Sequence, residues 1–280
     1  MFEPFQEAFM QRAIAEMTLL ALVGGALGCW IVLYQLSYAA ESLAHSLFPG
    51  LVIAAIAGLP LLVGGAPAVV LAALAIAVAS RVRGAGRDVG VGVVVTTMFG
   101  LGALLALSTD SPPGIESLLF GDILAPSDAD LASAAALAVL VSAALWLLHG
   151  RLLATGFDRG SARALGLSPA LADTALLVLL AAAIVVAVQG LGNLLVVAVF
   201  VGPAAAARNL TDRIVPMIVL AAAIATLAGL AGLYLSYYAG TAGGASVTLA
   251  IVVAYVVSLP LGRLLGPRPG KRAPAEATIS

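Results

Sequence analysis

Charge is what this sequence has least of. Of its 280 residues, 10% are Asp, Glu, Lys or Arg, while 62% are apolar. Ordinary soluble domains carry about 25% charged and about 45–50% apolar residues, and a soluble surface of this size needs polar cover that this chain cannot supply. A soluble enzyme and a disordered chain are thereby excluded. The formal net charge of −1 gives no bulk attraction to phosphate backbones, so no nucleic-acid partner is expected. Cysteine is down to Cys29, which excludes a disulfide framework and any multi-cysteine zinc or iron–sulfur site. The single lysine, Lys271, stands near the C-terminus and there is no Walker loop, so the chain lacks the usual cradle for ATP. It also lacks a Gly-x-Ser-x-Gly elbow and a His-Glu-x-x-His stretch. What remains is an integral membrane protein, a non-enzyme with no visible catalytic apparatus.

What is present is long uncharged sequence. About 20 apolar residues in a helix cross the hydrocarbon core. On that scale spans are expected near residues 17–36, 42–59, 61–80, 89–108, 131–149, 171–188, 191–207, 214–236 and 246–265. That makes an all-α bundle of nine transmembrane helices, or eight if 42–59 is re-entrant. Pro49, Gly50, Gly58 and Pro60 are expected to break the long gap between Glu41 and Arg81. Residues 1–266 form one transmembrane domain, and the Pro-rich residues 267–280 a disordered cytoplasmic tail. A Gly24-x-x-x-Gly28 spacing suits close helix packing.

The basic residues fall in four groups: Arg81, Arg83 and Arg87; Arg151, Arg159 and Arg163; Arg208 and Arg213; Arg263, Arg268, Lys271 and Arg272. The positive-inside rule places all four, and with them the C-terminus, in the cytoplasm. Two spans separate each neighbouring pair. The stretch 110–130, with Asp110, Glu116, Asp122, Asp128 and Asp130 and no basic residue, belongs outside. Residues 1–16 carry Glu3, Glu7 and Glu16 against Arg12, which tolerates an outward N-terminus and lacks the basic lead-in of a signal peptide.

Two segments carry possible chemistry. Glu41 and His45, four residues apart, share one face of a helix. A carboxylate plus an imidazole is a partial shell for Zn²⁺ or Mn²⁺. The same pair could also be a hydrogen bond tying two helices, or could lie in water at the membrane interface. The second segment is Phe157-Asp158-Arg159-Gly160-Ser161-Ala162-Arg163-Ala164-Leu165-Gly166-Leu167. With Asp near its start and Gly at its end it reads as a short capped helix, either a solvated connector or a docking element for a soluble partner.

The block Leu36-Ser37-Tyr38-Ala39-Ala40-Glu41-Ser42-Leu43-Ala44-His45-Ser46-Leu47-Phe48-Pro49-Gly50 resembles a block of the permeases of zinc and manganese ABC importers, with Glu41 where that family usually has Asp. The segment 157–167 resembles the family's cytoplasmic coupling block. Residues 119–124 and 201–208, the latter with Pro203, resemble further blocks in the same order. The resemblance implies an ABC-importer permease fold and a homodimer with its conduit at or near the subunit interface. It also implies ABC ATPase subunits docked on Phe157, Asp158, Arg159, Gly160, Ala162, Arg163 and Gly166, and an extracytoplasmic metal-binding protein on the other face. Zn²⁺ or Mn²⁺ would pass Glu41 and His45 as cargo, with no resident cofactor, across the inner (plasma) membrane of a prokaryote. Pro49, Gly50 and Pro203 would serve as helix-break or structural positions. One departure stands near the last span: Gly240 occupies the place where a further carboxylate is expected, so a ligand that could complete the shell of Glu41 and His45 is missing. The alternative is a secondary transporter driven by an ion gradient, which the poverty of intramembrane carboxylates disfavours.

Overall fold

The computed structural model describes residues 7–79, 87–107, 123, 126–192 and 195–264. Among them lie ten α-helices and no strand: α1 Ala8–Leu33, α2 Ser37–Ile56, α3 Leu61–Ala79, α4 Arg87–Ala106, α5 Asp128–Phe157, α6 Arg159–Ala164, α7 Pro169–Leu191, α8 Val196–Leu210, α9 Ile214–Ala239 and α10 Gly243–Leu264. Seven of these are long and apolar enough to cross a membrane, and α3 and α8 carry shorter apolar stretches. With the six-residue α6 set aside, the result is the nine-helix polytopic bundle expected. A helix satisfies its own backbone, which is the condition for crossing a medium without water. Large apolar side chains such as Leu104, Val139, Trp146, Leu147 and Leu227 stand exposed on the bundle's outside, as they do where lipid replaces water.

Helix α1 is the central post, packed against α5, α8 and α9. Its contacts with the last two are made through small residues, because lipid gives no hydrophobic drive and close approach must supply dispersion instead. A Cβ on Gly28 would lie 1.9 Å from the carbonyl oxygen of Phe200 in α8, and one on Gly24 2.6 Å from the Phe200 ring. The Gly24–Gly28 spacing is thus a packing face. Helices α2, α3 and α4 form a second unit. There the backbones of α2 and α3 touch at Gly50 and Gly64. This unit meets α1 hardly at all and joins the rest chiefly through α7, with a smaller contact of α2 on α8 and the covalent turn at residues 34–36.

Contacts along the helices fix their directions. Gly25 of α1 meets Ala222 of α9 and Met17 meets Gly229, so these two run antiparallel. Tyr38 of α2 meets Gly92 of α4 and Phe48 meets Gly102, so those run parallel. Followed through the chain, the directions put Arg151, Arg159, Arg163, Arg208, Arg213 and Arg263 at one end of the bundle, where α1 ends and α2 begins. Asp128 and Asp130 lie at the other, where Arg12 pairs with Asp128 at 3.1 Å. The alternation read from the charges is therefore a property of the fold. Asp110, Glu116, Asp122, Arg81, Arg83, the 119–124 block apart from Ile123, and everything beyond residue 264 lie outside the described residues.

Four helices end in the same motif, in which an amide bonds five residues back around a left-handed residue. Leu59 N–H bonds the Ala54 carbonyl around Gly58, Leu167 that of Ala162 around Gly166, and Thr241 that of Ser236 around Gly240. Leu36 does the same to Ile31 around Gln35, the one non-glycine with positive φ (58°) among the described residues.

Three expectations need correction. Pro49 and Gly50 do not break the chain: α2 runs through both as one 20-residue helix, so it is a full span and not re-entrant. A proline inside a helix removes one hydrogen bond and crowds the carbonyl four residues back, which close packing of Phe48 and Pro49 over Gly102 tolerates. The break comes at Ala57–Pro60. Second, α1 starts at Ala8, well before residue 17, because Arg12 finds Asp128 and Glu16 is buried. Third, the span expected at 191–207 begins only at Val196 and runs to Leu210, with Gly192 (φ 76°, ψ 160°) ending α7 before it.

Candidate functional site

Glu41 is the fifth residue of α2 and His45 lies one turn further. Their side chains point the same way, His45 Nε2 standing 3.9 Å from Glu41 Oε1. That is too long for a hydrogen bond, so the pair is not a tie between helices. Two ligands of one tetrahedral ion, each bound at about 2.1 Å, sit about 3.4 Å apart. A shift of about half an ångström would let the two side chains share a metal. The imidazole is held from the side by Phe99 of α4, edge-on at 5.4 Å, and Phe99 in turn stacks on Phe48. Its Nδ1 is buried and has no hydrogen-bond partner among the described residues. Glu41 is different: its side chain is 58% exposed, against 23% for His45, on a flank of α2 that the described residues leave open. Among the described residues no three His, Cys, Asp or Glu side chains come together.

Gly240 does not belong to this site. It caps the end of α9 at the acidic end of the bundle, in left-handed conformation (φ 62°) with open space around it. Glu41 sits near the arginine-rich end. A carboxylate at position 240 could not reach Glu41 and His45 of the same chain, since the 26-residue α9 spans about 39 Å. The missing carboxylate is therefore no missing ligand of this pair.

The segment at residues 157–167 is built as a capped helix at the arginine-rich end. Asp158 accepts bonds from the Gly160 amide and the Ser161 hydroxyl, and these hold its carboxyl below the usual carboxylate range. Gly166 closes the far end. Ala162 is buried and anchors α6, while Phe157 is 92% exposed and Leu165 74%. Arg163 and Gly160 also face outward. Arg159 turns back toward the bundle: its guanidinium makes a two-pronged pair with Asp173 of α7, both contacts 3.0 Å. Pro203 is buried within α8.

Sequence reasoning passed over three residues. Tyr34 is buried and donates its hydroxyl to the Leu152 carbonyl of α5 at 2.8 Å. Asp173 holds Arg159. Glu16 is 2% exposed against Gly190 of α7, at the end of the bundle away from Glu41, and its Oε2 has no hydrogen-bond partner among the described residues. Glu16 could have been noticed from its place in an otherwise apolar helix. The other two partnerships join residues far apart in sequence and left no local pattern.

A bundle of this design, with a capped surface helix at one end and a carboxylate–imidazole pair in one of its long apolar helices, is that of a polytopic membrane protein. The profile of the ABC 3 transport family matches residues 6–262, and the chain belongs to that family. It is 30% identical to the manganese transport system membrane protein MntC of Listeria monocytogenes over 95% of this chain and 93% of that protein. It is 32% identical to the chelated iron transport system membrane protein YfeC of Yersinia pestis, over 90% and 86% respectively. A solved structure, PsaBC from Streptococcus pneumoniae in complex with Fab, superposes with a TM-score of 0.85 at 29% identity, covering 92% of this chain and 95% of that one. The chain is thus a transport permease, not an enzyme.

Proposed function

We propose that the chain is the membrane-spanning subunit of an ATP-driven importer that passes a divalent transition metal from an external binding protein to the cytoplasm. The metal is manganese, iron or zinc; relatives bear the names of manganese and iron transport systems. Separate ABC ATPase subunits supply the energy and dock on α6 and its flanks, where Phe157, Arg163 and Leu165 project from the arginine-rich end. That end, and the C-terminus beyond Leu264, lies in the cytoplasm, with the binding protein at the acidic end.

The observation that carries the reading is the Glu41–His45 pair. It offers one hard and one borderline ligand, which suits first-row divalent ions, and two ligands hold an ion loosely enough to release it. A carboxylate facing hydrocarbon would be costly, so the open flank of α2 that bears Glu41 faces water or a second copy of the chain. This supports a homodimer with the ion path beside α2. The test is uptake of radiolabelled manganese, iron and zinc into proteoliposomes that hold the complete complex. ATP-dependent uptake of one of them, abolished by Glu41→Gln, is expected. Uptake driven by an ion gradient without ATP would overturn the reading.

A further inference from the structure

The chain contains a junction that, apart from Arg159, which the resemblance placed on the docking segment, has no part in metal binding or in docking as described above. At its centre is Tyr34, in the turn from α1 to α2. Its hydroxyl bonds the Leu152 carbonyl, and its ring lies on Gly156 of α5, where a Cβ would stand 3.0 Å from Cε2. The guanidinium of Arg159, first residue of α6, sits over the same ring, 5.7 Å from its centroid, within the range of a cation–π contact. Asp173 of α7 grips that guanidinium from the other side with two bonds. Three elements thus meet on one arginine: the surface helix α6, the α1–α2 turn, and α7.

The location gives the junction its meaning. The unit α2–α4 carries Glu41 and His45 and touches the central post α1 sparingly; besides the covalent turn 34–36 it meets the rest chiefly at α7, with a smaller contact of α2 on α8. The turn itself is stiff, closed by bonds from Tyr34 to Trp30 and from Leu36 to Ile31. It also holds Gln35 in a left-handed conformation that a side chain adopts at a cost of about 1 kcal/mol. A stiff turn transmits displacement where a loose one would absorb it. Through Tyr34 and Asp173, Arg159 is positioned to pull on the turn that leads into α2 and on α7, against which α2 and α3 pack, when α6 moves.

We infer that Tyr34, Arg159 and Asp173 form a mechanical relay that converts movement of α6 into movement of α2, and so of Glu41 and His45. These are positioning residues, not ligands. The inference rests on the proposed function, in which α6 is where the ATPase acts. The probes are Tyr34→Leu, Asp173→Asn and the conservative Tyr34→Phe, measured in the complete complex. In proteoliposomes, Tyr34→Leu and Asp173→Asn are expected to lower metal uptake per ATP hydrolysed at least ten-fold while hydrolysis and assembly stay normal. Tyr34→Phe keeps the ring beneath the guanidinium and should retain most of the coupling. A second readout needs no metal: spin labels at Ile56 of α2 and Leu140 of α5, both exposed, report their separation before and after trapping the ATPase with nucleotide. The separation should change with the relay intact and stay constant in Tyr34→Leu. Hydrolysis and uptake falling in proportion, or a label separation that changes equally in both proteins, would overturn the relay. Failure of the wild-type complex to take up any of the three metals would count against the proposed function instead, since the label experiment is read independently.

Discussion

The contact between Gly50 and Gly64 holds α2, and with it Glu41 and His45, against α3. A Cβ built on Gly50 would stand 2.3 Å from the Gly64 carbonyl oxygen and 2.5 Å from the Ala68 Cβ; one on Gly64 would stand 2.0 Å from the Gly50 oxygen. Relieving the first clash to ordinary contact requires the two backbones to part by about 1 Å along the crossing, and overpacking of that kind costs about 1–3 kcal/mol. Alanine returns about 0.5–1 kcal/mol of helix propensity. Gly50→Ala should therefore be destabilising by about 0.5–2 kcal/mol net. Gly100, also helical but with open space at its Cβ position, provides the control: Gly100→Ala gains the propensity without the clash. The double variant Gly50→Ala/Gly64→Ala should lose less than the sum of the two singles, because parting the helices for one methyl makes room for the other. Unfolding in mixed micelles, followed by the fluorescence of Trp30 and Trp146, measures all four proteins. The packing argument fails if Gly50→Ala is as stable as Gly100→Ala.

Three further outcomes are expected. Glu41→Gln and His45→Ala should each reduce uptake per folded complex about ten-fold or more, since even residues that merely support a ligand cost that much, and the double variant should be little worse than either; normal uptake by the double variant removes the pair from the path. Single cysteines at Asp128 and Arg163, labelled with an impermeant reagent on whole cells, should react at 128 and stay silent at 163, with Cys29 buried and contributing no background; the reverse pattern inverts the topology. The carboxyl of Asp158 is held below the usual range by the bonds that cap α6, so the cap is complete at neutral pH and is lost as pH falls through that lowered value. Protection of the Gly160 and Ser161 amides from exchange should fall on acidification in the wild type, and Asp158→Asn, an equally good cap, should remove the pH dependence.

The sequence by itself determined the medium, the number of spans and their alternation. Those depend on bulk quantities, namely runs of apolar residues about 20 long and the placement of a dozen arginines, which need no knowledge of what touches what. It also determined the capped helix at 158–166, because an Asp cap and a left-handed glycine are local devices. Only the tertiary structure decided how Pro49 behaves. A proline's effect on a helix depends on whether neighbours fill the space around it, and here Gly102 of α4 does. The same holds for Gly240. Its place in the chain invited a ligand role, but the antiparallel course of α1 and α9 puts it a membrane's thickness from Glu41. Arg159 belonged by its neighbours in sequence to a docking surface, yet its guanidinium is committed to Tyr34 and Asp173, residues 125 and 14 positions away. Partnerships of that kind arise where helices with no local signal for one another pack side by side, and they exist only once the bundle has formed.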